Sequence, residues 1–390
     1  MDEHHPYIDP VLLRQFGITR VGDVTDLDTI GVPVWFAVRP NSRGLSVSQG
    51  KGLTAGQARI SAVMEALEGA VAEDTQKHLH TCGSIAEMTG KHAALVPYER
   101  LGRVDTSMID PDRERAWVRG MSVRDGHHVL APFELIGMDF RVDFPWDRRA
   151  FQMSSEGLAA GFHYDRTVLH ALLELIENDA CFLIDAFDSR NVAPRPVSFP
   201  ASKDSPLEEL LQRLQALDIQ PRFFELPAIA DIPVVMASVP RLLLTESGPT
   251  LRRAAGVACR LDWQDAALAA LLEAIQARLT DINGARDDLT PSRYRIDDGA
   301  PIQSPSTVHD LNGVKSVSLF QQDRKPLWRS LADHLFAAGI RDIYVFSLET
   351  GVDGLYVVRV LADGLSAAGK GLQTIPMRAF DGLVTERTVR

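Results

Sequence analysis

Cysteine is scarce in this chain: Cys82, Cys181 and Cys259 are the only three among 390 residues. They are far apart, odd in number and form no CxxC pair, which excludes a disulfide framework and a zinc-ribbon type of site. Long apolar runs are also missing, so no segment reads as a membrane span. The amino terminus, MDEHHPYIDP, lacks the basic start and apolar stretch of a secretory signal. Nor is there an excess of positive charge. With 41 Lys and Arg against 52 Asp and Glu, the net charge of −11 argues against non-specific binding to nucleic acid or to an anionic membrane. These absences predict a cytoplasmic protein with free thiols.

What is present is ordinary globular composition, 45% apolar and 24% charged, in a chain long enough for a full core. Short β-rich runs alternate with helical stretches at irregular spacing. VPVWFAV (32–38), WVRGMSV, HHVLAPFELIGM, QPRFFEL, IPVVMASVP, DIYVFSL and GLYVVRVLA read as strands, and SQGKGLT (48–54) as a glycine-bearing turn. Apolar helices are predicted from about Ala55 to Asp74, Asp165 to Phe187 and Trp263 to Asn283. Two more cover LEELLQRLQAL and the region near 325–339. The polar stretch 284–310 reads as a surface loop. This mixture implies an α/β (mixed α+β) fold with mixed sheets packed on helices. The expected organisation is an N-terminal segment with strands (1–43), a main domain (44–370) and a C-terminal tail (371–390).

The three apolar helices share a template. SAVMEALEGA, HALLELIEND and AALLEAIQAR place Ser61/Glu65/Glu68, His170/Glu174/Glu177 and Ala269/Glu273/Gln276 at i, i+4 and i+7 of one stripe. One Glu-x-x-Glu on a helix is ordinarily a solvated face. Three inside apolar helices are easiest to satisfy when the stripes converge on a cleft. Five carboxylates meeting there cannot all stay ionised without cations, and oxygen-only donors favour Mg²⁺ or Ca²⁺. Because Mg²⁺ commonly completes its shell with phosphate oxygens, a nucleoside triphosphate is its natural companion. SQGKG lacks the spacing of a Walker loop, so Lys51 reads as a cleft-edge cation. His170, in the place of Ser61 in the template, reads as a hydrogen-bonded core histidine with a ligand as the alternative, and Cys181 reads as packing, although a sulfur carrier would need such a thiol.

The same residues carry a family resemblance. GKGLTAGQARISAVMEALE, LLELIENDA, LLEAIQARLTDINGARDD and VVRVLADGLSAAG resemble, in order, the motifs of the YcaO family, and the likeness runs from about Gly17 to Ala368. The segment GITRVGDVTDLDTIGVPVWFAVRPNSRGLSVSQGKG resembles most the subgroup that partners TfuA proteins in peptide thioamidation. The resemblance implies a YcaO-type fold with three acidic helices converging on a cleft that takes ATP and Mg²⁺. It further implies O-phosphorylation of a backbone amide in a ribosomally made precursor peptide, a TfuA-like partner and a homodimer.

By the same implication Glu65, Glu68, Glu174, Glu177 and Glu273 hold the metal, and Ser61, Glu68, Gln276, Arg278, Arg286 and Lys51 are candidates for holding the nucleotide. No catalytic residue is assigned. The chain departs from the family at Asn178 and Ala269, where arginine is usual, and at Glu156, Phe162 and Arg166 before and within the second helix. Arg59, Arg166, Arg278, Arg286 and Lys51 are candidates to supply the missing positive charge. Two alternatives stay open: a degenerate homologue with weak ATP binding that serves as a peptide or partner scaffold, and an azoline-forming cyclodehydratase. The C-terminus lacks the proline-rich tail frequent among the latter.

Overall fold

The computed structural model describes residues 8–186, 194–199, 205–245, 248–289, 308–311 and 325–366. The expected tail, 371–390, and most of the expected surface loop lie outside these residues. Helices longer than ten residues are α1 (Ala55–Ala72), α2 (Tyr164–Ala186), α3 (Pro206–Ala216), α4 (Trp263–Asn283) and α5 (Leu327–Ala337). A three-stranded sheet is ordered β1 (Arg20–Asp23), β2 (Val34–Val38), β3 (Val47–Lys51). A six-stranded sheet is built from β4 (Leu79–Gly83), β5 (Arg115–Ser122), β6 (His128–Pro132), β7 (Leu158–Gly161), β13 (Asp342–Leu348) and β14 (Tyr356–Asp363). Its path runs β4-β5-β13-β14-β7, with β6 also paired to β5. The third sheet is ordered β11-β10-β9-β8-β12, from β8 (Arg195–Ser198), β9 (Arg222–Glu225), β10 (Val234–Thr245), β11 (Gly248–Cys259) and β12 (His309–Asp310). Named strands pair antiparallel except β8 with β12.

Three strand–helix units organise the chain, one from each sheet: β3 into α1, β7 into α2 and β11 into α4. Each strand passes to its helix through a few residues, and capping fixes two of the starts. Thr54 Oγ1 accepts from the Gln57 N–H at 3.2 Å, and Asp262 Oδ1 accepts from the N–H of Gln264 at 2.8 Å and of Asp265 at 3.2 Å. The helices then lie flat on their sheets because small residues face them. A side chain at Gly50 would collide with the backbone of Ala58 and Ala62, and one at Gly256 with the backbone of Ala270 and Ala274. Only glycine permits these close approaches. They bring the acidic stripes of α1 and α4 near the ends of their own strands.

The opposite helix faces bury conventional apolar cores. Leu172 and Ile176 of α2 meet Val345 and Val358 of the six-stranded sheet and Leu331 of α5. Leu271 and Ile275 of α4 meet Val235 and Val239, with Leu210 and Leu214 of α3 beyond them. Val63 and Leu67 of α1 pack with Ala37 and Leu355.

Several local expectations change. The SQGKGLT stretch is strand as far as Lys51, because its glycine is there for close packing and not for turning. HHVLAPFELIGM breaks after Pro132 into a helical turn, Phe133–Ile136. The third helix is preceded by a twelve-residue strand, β11, paired along its length with β10. The 1–43 segment shares its sheet with β3. Among the described residues no helix is long and apolar enough to cross a membrane.

Candidate functional site

A cavity of about 550 Å³ opens where the three units meet, and Glu65, Glu68, Glu174, Glu177 and Glu273 all line it. The stripes therefore face one space, as their apolar setting required. Their carboxylates are fixed in a ring. Glu68 of α1 accepts from the Ala160 N–H of β7 at 2.9 Å. Glu177 of α2 accepts from the Cys259 N–H of β11 at 3.1 Å. Glu273 of α4 pairs with Lys51 Nζ of β3 at 3.3 Å. Each helix thus hands a glutamate to the strand of the next unit, and the third closes the circle. Glu65 takes a backbone hydrogen bond from Gln49 of its own strand.

Glu174 differs from these four. Among the described residues no hydrogen bond reaches its carboxylate, and its neighbours are Glu68 and Glu177. Burial, followed by the repulsion of those two, raises its pKa well above the usual carboxylate range. Burial likewise pushes Glu68 up to about 8 and, with Glu273 adding repulsion, Glu177 up to about 8. Glu65 is raised by burial against the pull of Lys51 and Arg286. Protein surrounds Glu65 and His170, yet their side chains open onto the water of the cavity, which tempers the burial effect on both. Below the carboxylates sits a buried layer containing Arg103, Glu156 and Arg359. Arg359 donates to the Ile136 and Glu156 carbonyls at 2.9 and 2.6 Å, and burial lowers its pKa to about 9.

Among the described residues four cations line the cavity: Arg39, Lys51, Arg260 and Arg286. Arg39 pairs with Glu73, which also accepts from Ser42 Oγ at 3.2 Å and from the Arg43 N–H at 2.8 Å. Arg286 forks onto Asp288 at 3.0 and 2.7 Å. Asp287 accepts from Ser46 N–H and Oγ, both at 2.6 Å, tying the end of α4 to the loop after β2.

Ser61 lines the cavity; Gln276 and Arg278 do not. Arg278 instead makes a bidentate pair with Asp28 at 2.7 and 2.9 Å, and the Gln276 Oε1 is buried without a hydrogen-bond partner. Arg59 and Arg166, expected substitutes for the missing cations, are also absent from the lining. His170 faces the cavity and not the core; burial with Arg260 and Lys51 nearby lowers its pKa to about 4, so the ring is neutral at pH 7. Sequence reasoning missed Arg39, Glu73 and Arg260. The signal for Arg260 was the repeat itself. Lys51 ends β3, and Arg260 immediately follows β11 at the corresponding junction, whereas Phe162 follows β7.

The donor set suits a hard divalent cation, being all carboxylate oxygen at the centre with no thiolate lining the space. Among the described residues no three acidic, histidine or cysteine side chains converge tightly enough to hold an ion by themselves. That fits Mg²⁺, which takes one or two carboxylates and fills its shell with water and phosphate oxygens, better than it fits an all-protein cage.

Comparison with known proteins places the chain among its relatives. The family model described as YcaO cyclodehydratase, ATP- and Mg²⁺-binding, matches residues 49–366. A Rhizobium leguminosarum bv. trifolii protein, described as an uncharacterized protein in the tfuA 3′ region, is 33% identical over 378 residues, covering 95% of this chain and 89% of that protein. The YcaO of Methanopyrus kandleri, solved with AMPPCP and Mg²⁺, superposes with a TM-score of 0.67 at 21% identity, covering 93% of each chain. A heterocyclase solved in complex with substrate and cofactor gives a TM-score of 0.71 at 17% identity, over 97% of this chain and 54% of that one. On the match of its sequence to the family model and to the Rhizobium relative, with the shared fold in support, this chain belongs to the YcaO family.

Proposed function

We propose that this chain is an ATP- and Mg²⁺-dependent enzyme that activates a backbone amide of a ribosomally made peptide by O-phosphorylation, with thioamide formation as the outcome. One observation carries the reading: five glutamates from three separate helices line one cavity, four of them held above their ordinary pKa. Such a site destabilises itself unless a divalent cation arrives. Glu65, Glu68, Glu174, Glu177 and Glu273 would hold Mg²⁺ ions, one or two carboxylates to each, with Lys51, Ser61 and Arg286 facing the nucleotide. Bound Mg²⁺-ATP supplies the phosphoryl group that turns an amide oxygen, a very poor leaving group, into phosphate. The chain's own share is orientation and charge. Backbone amides of β3, β7 and β11 hold three of the carboxylates, and Lys51 holds a fourth, so little reorganisation is needed on binding.

The thioamide outcome rests on the tfuA neighbourhood named for the Rhizobium relative and on the N-terminal resemblance. A TfuA-like protein as sulfur-delivering partner and a precursor peptide as substrate belong to the same proposal, as does a homodimer. Titration calorimetry tests its foundation: Mg²⁺-ATP binds with micromolar affinity, and Glu65→Gln abolishes the binding. No detectable binding at millimolar ATP would overturn the enzyme reading in favour of a scaffold that binds peptide or partner.

A further inference from the structure

We infer that Arg260 is the cation of the cavity reserved for the terminal phosphate of a bound nucleoside triphosphate. This rests on the nucleotide reading above and adds to it a residue outside the helical stripes.

The argument starts from what each lining cation already does. Lys51 is committed to Glu273, Arg286 to both oxygens of Asp288, and Arg39 to Glu73 and the Phe16 carbonyl. Arg260 has no carboxylate partner among the described residues. Its single hydrogen bond runs from Nη1 to the neighbouring Cys259 carbonyl at 2.7 Å. A guanidinium carries five N–H donors in a planar fork, so most of this one is unused. Arg260 nevertheless lines the cavity, as do His170, Glu177 and Glu273.

Position in the repeat supports the same assignment. Lys51 and Arg260 stand at equivalent strand–helix junctions, yet only Lys51 has a glutamate to neutralise it. The reason lies on the neighbouring helix. Glu177, the stripe residue of α2 that reaches this junction, accepts from the Cys259 N–H and, among the described residues, makes no hydrogen bond to the adjacent guanidinium. On the helix that follows Arg260, stripe position 269 is alanine and brings no charge to either side. Asp262 and Asp265 at the start of that helix are close enough for Arg260 to draw the Asp265 pKa down against burial, but among the described residues no hydrogen bond joins either to the guanidinium, which stays open toward the cavity beside His170. An oxyanion fits there, and the planar fork suits two phosphate oxygens.

Calorimetry on the full chain tests this with Mg²⁺-ATP and Mg²⁺-ADP, comparing wild type with Arg260→Gln and Arg260→Lys. The expected result is a loss of about tenfold or more in ATP affinity for Arg260→Gln. ADP affinity should change much less, so the preference for ATP over ADP collapses. Arg260→Lys should restore part of it. An arginine that only braces β11 would lower both affinities together, and that outcome overturns the assignment, as does an unchanged ATP affinity. A wild type that binds neither nucleotide sinks the functional reading itself, whereas normal wild-type binding with an indifferent Arg260→Gln sinks only this inference.

Discussion

The first two acidic helices and the third carry the same template but live in different electrostatic worlds. On α1 and α2 the glutamates meet one another: Glu68 and Glu174 adjoin, Glu174 has no hydrogen bond among the described residues, and their nearest compensation is Arg359 beneath the floor. On α4 the one cavity glutamate, Glu273, is already paired with Lys51, Gln276 is off the lining, and Arg278 serves Asp28. A sequence stripe fixes where side chains point, because helix periodicity is geometric. It does not fix whether a charge arrives alone or accompanied, since the partner comes from a distant strand. The wall shared by α1 and α2 sets carboxylate against carboxylate, and the α4 wall has a lysine already paired with its glutamate.

Neutralising each wall should separate them most sharply. Glu174→Gln keeps the shape and removes a buried acid that its surroundings disfavour in ionised form, so metal-free protein should melt a few degrees higher while Mg²⁺-ATP affinity falls by about a hundredfold. Glu273→Gln should do the reverse for stability, because it strands Lys51 and relieves less repulsion. Thermal melts in chelator and calorimetry with nucleotide check both. Should the two variants shift the melting temperature in the same direction, the contrast between the walls is wrong.

A smaller effect is expected in the pH dependence. Glu68 and Glu177, ordinarily 4.5, sit at about 8 in the fold. Between those values the folded state binds more protons than the unfolded chain, so stability from these groups is lost as pH rises toward 8. His170 acts oppositely: its pKa lies below the ordinary 6.5, so some stability is lost as pH falls below that value, by less than full burial would give because the ring is exposed to cavity water. Above pH 6.5 only the carboxylate slope remains. The melting temperature of chelated protein should therefore decline from pH 6.5 to 8.5, and saturating Mg²⁺ with nucleotide should flatten the decline by displacing the protons. A flat profile in chelator would mean that the carboxylates are not strained as described.

How far the site was legible follows from the same division. Periodicity was enough to align Glu65, Glu68, Glu174, Glu177 and Glu273, because both the stripe and its apolar surroundings are local facts. Convergence could be argued from burial alone, since isolated acids inside apolar helices need a shared solution. The ring of backbone donors could not. Ala160 and Cys259 contribute through main-chain N–H groups that any residue except proline possesses. Glycine misled in a specific way: Gly50 looked like punctuation for a turn and is the contact that seats α1 on β3. Arg278 misled for another reason. Its spacing from Glu273 fits the cavity stripe only loosely, and the residue that claims it, Asp28, lies 250 positions away in sequence.

Arg278 also supplies the mildest test, one in which fold and site should come apart. Its bidentate pair with Asp28 is largely shielded, with the aspartate side chain only 2% exposed. Truncation by Arg278→Ala leaves that carboxylate without its partner, which should lower unfolding free energy by about 3 kcal/mol, near the bottom of the range for a broken buried pair. Asp28→Asn should cost less, because the arginine still donates to the Pro240 carbonyl. Neither change touches the cavity, so Mg²⁺-ATP affinity should stay within about twofold of wild type wherever the protein remains folded. Denaturant titration and calorimetry at low temperature read the two quantities separately. A large loss of affinity at unchanged stability would place Arg278 in the nucleotide site after all, and the pairing with Asp28 would then be the arrangement that binding undoes.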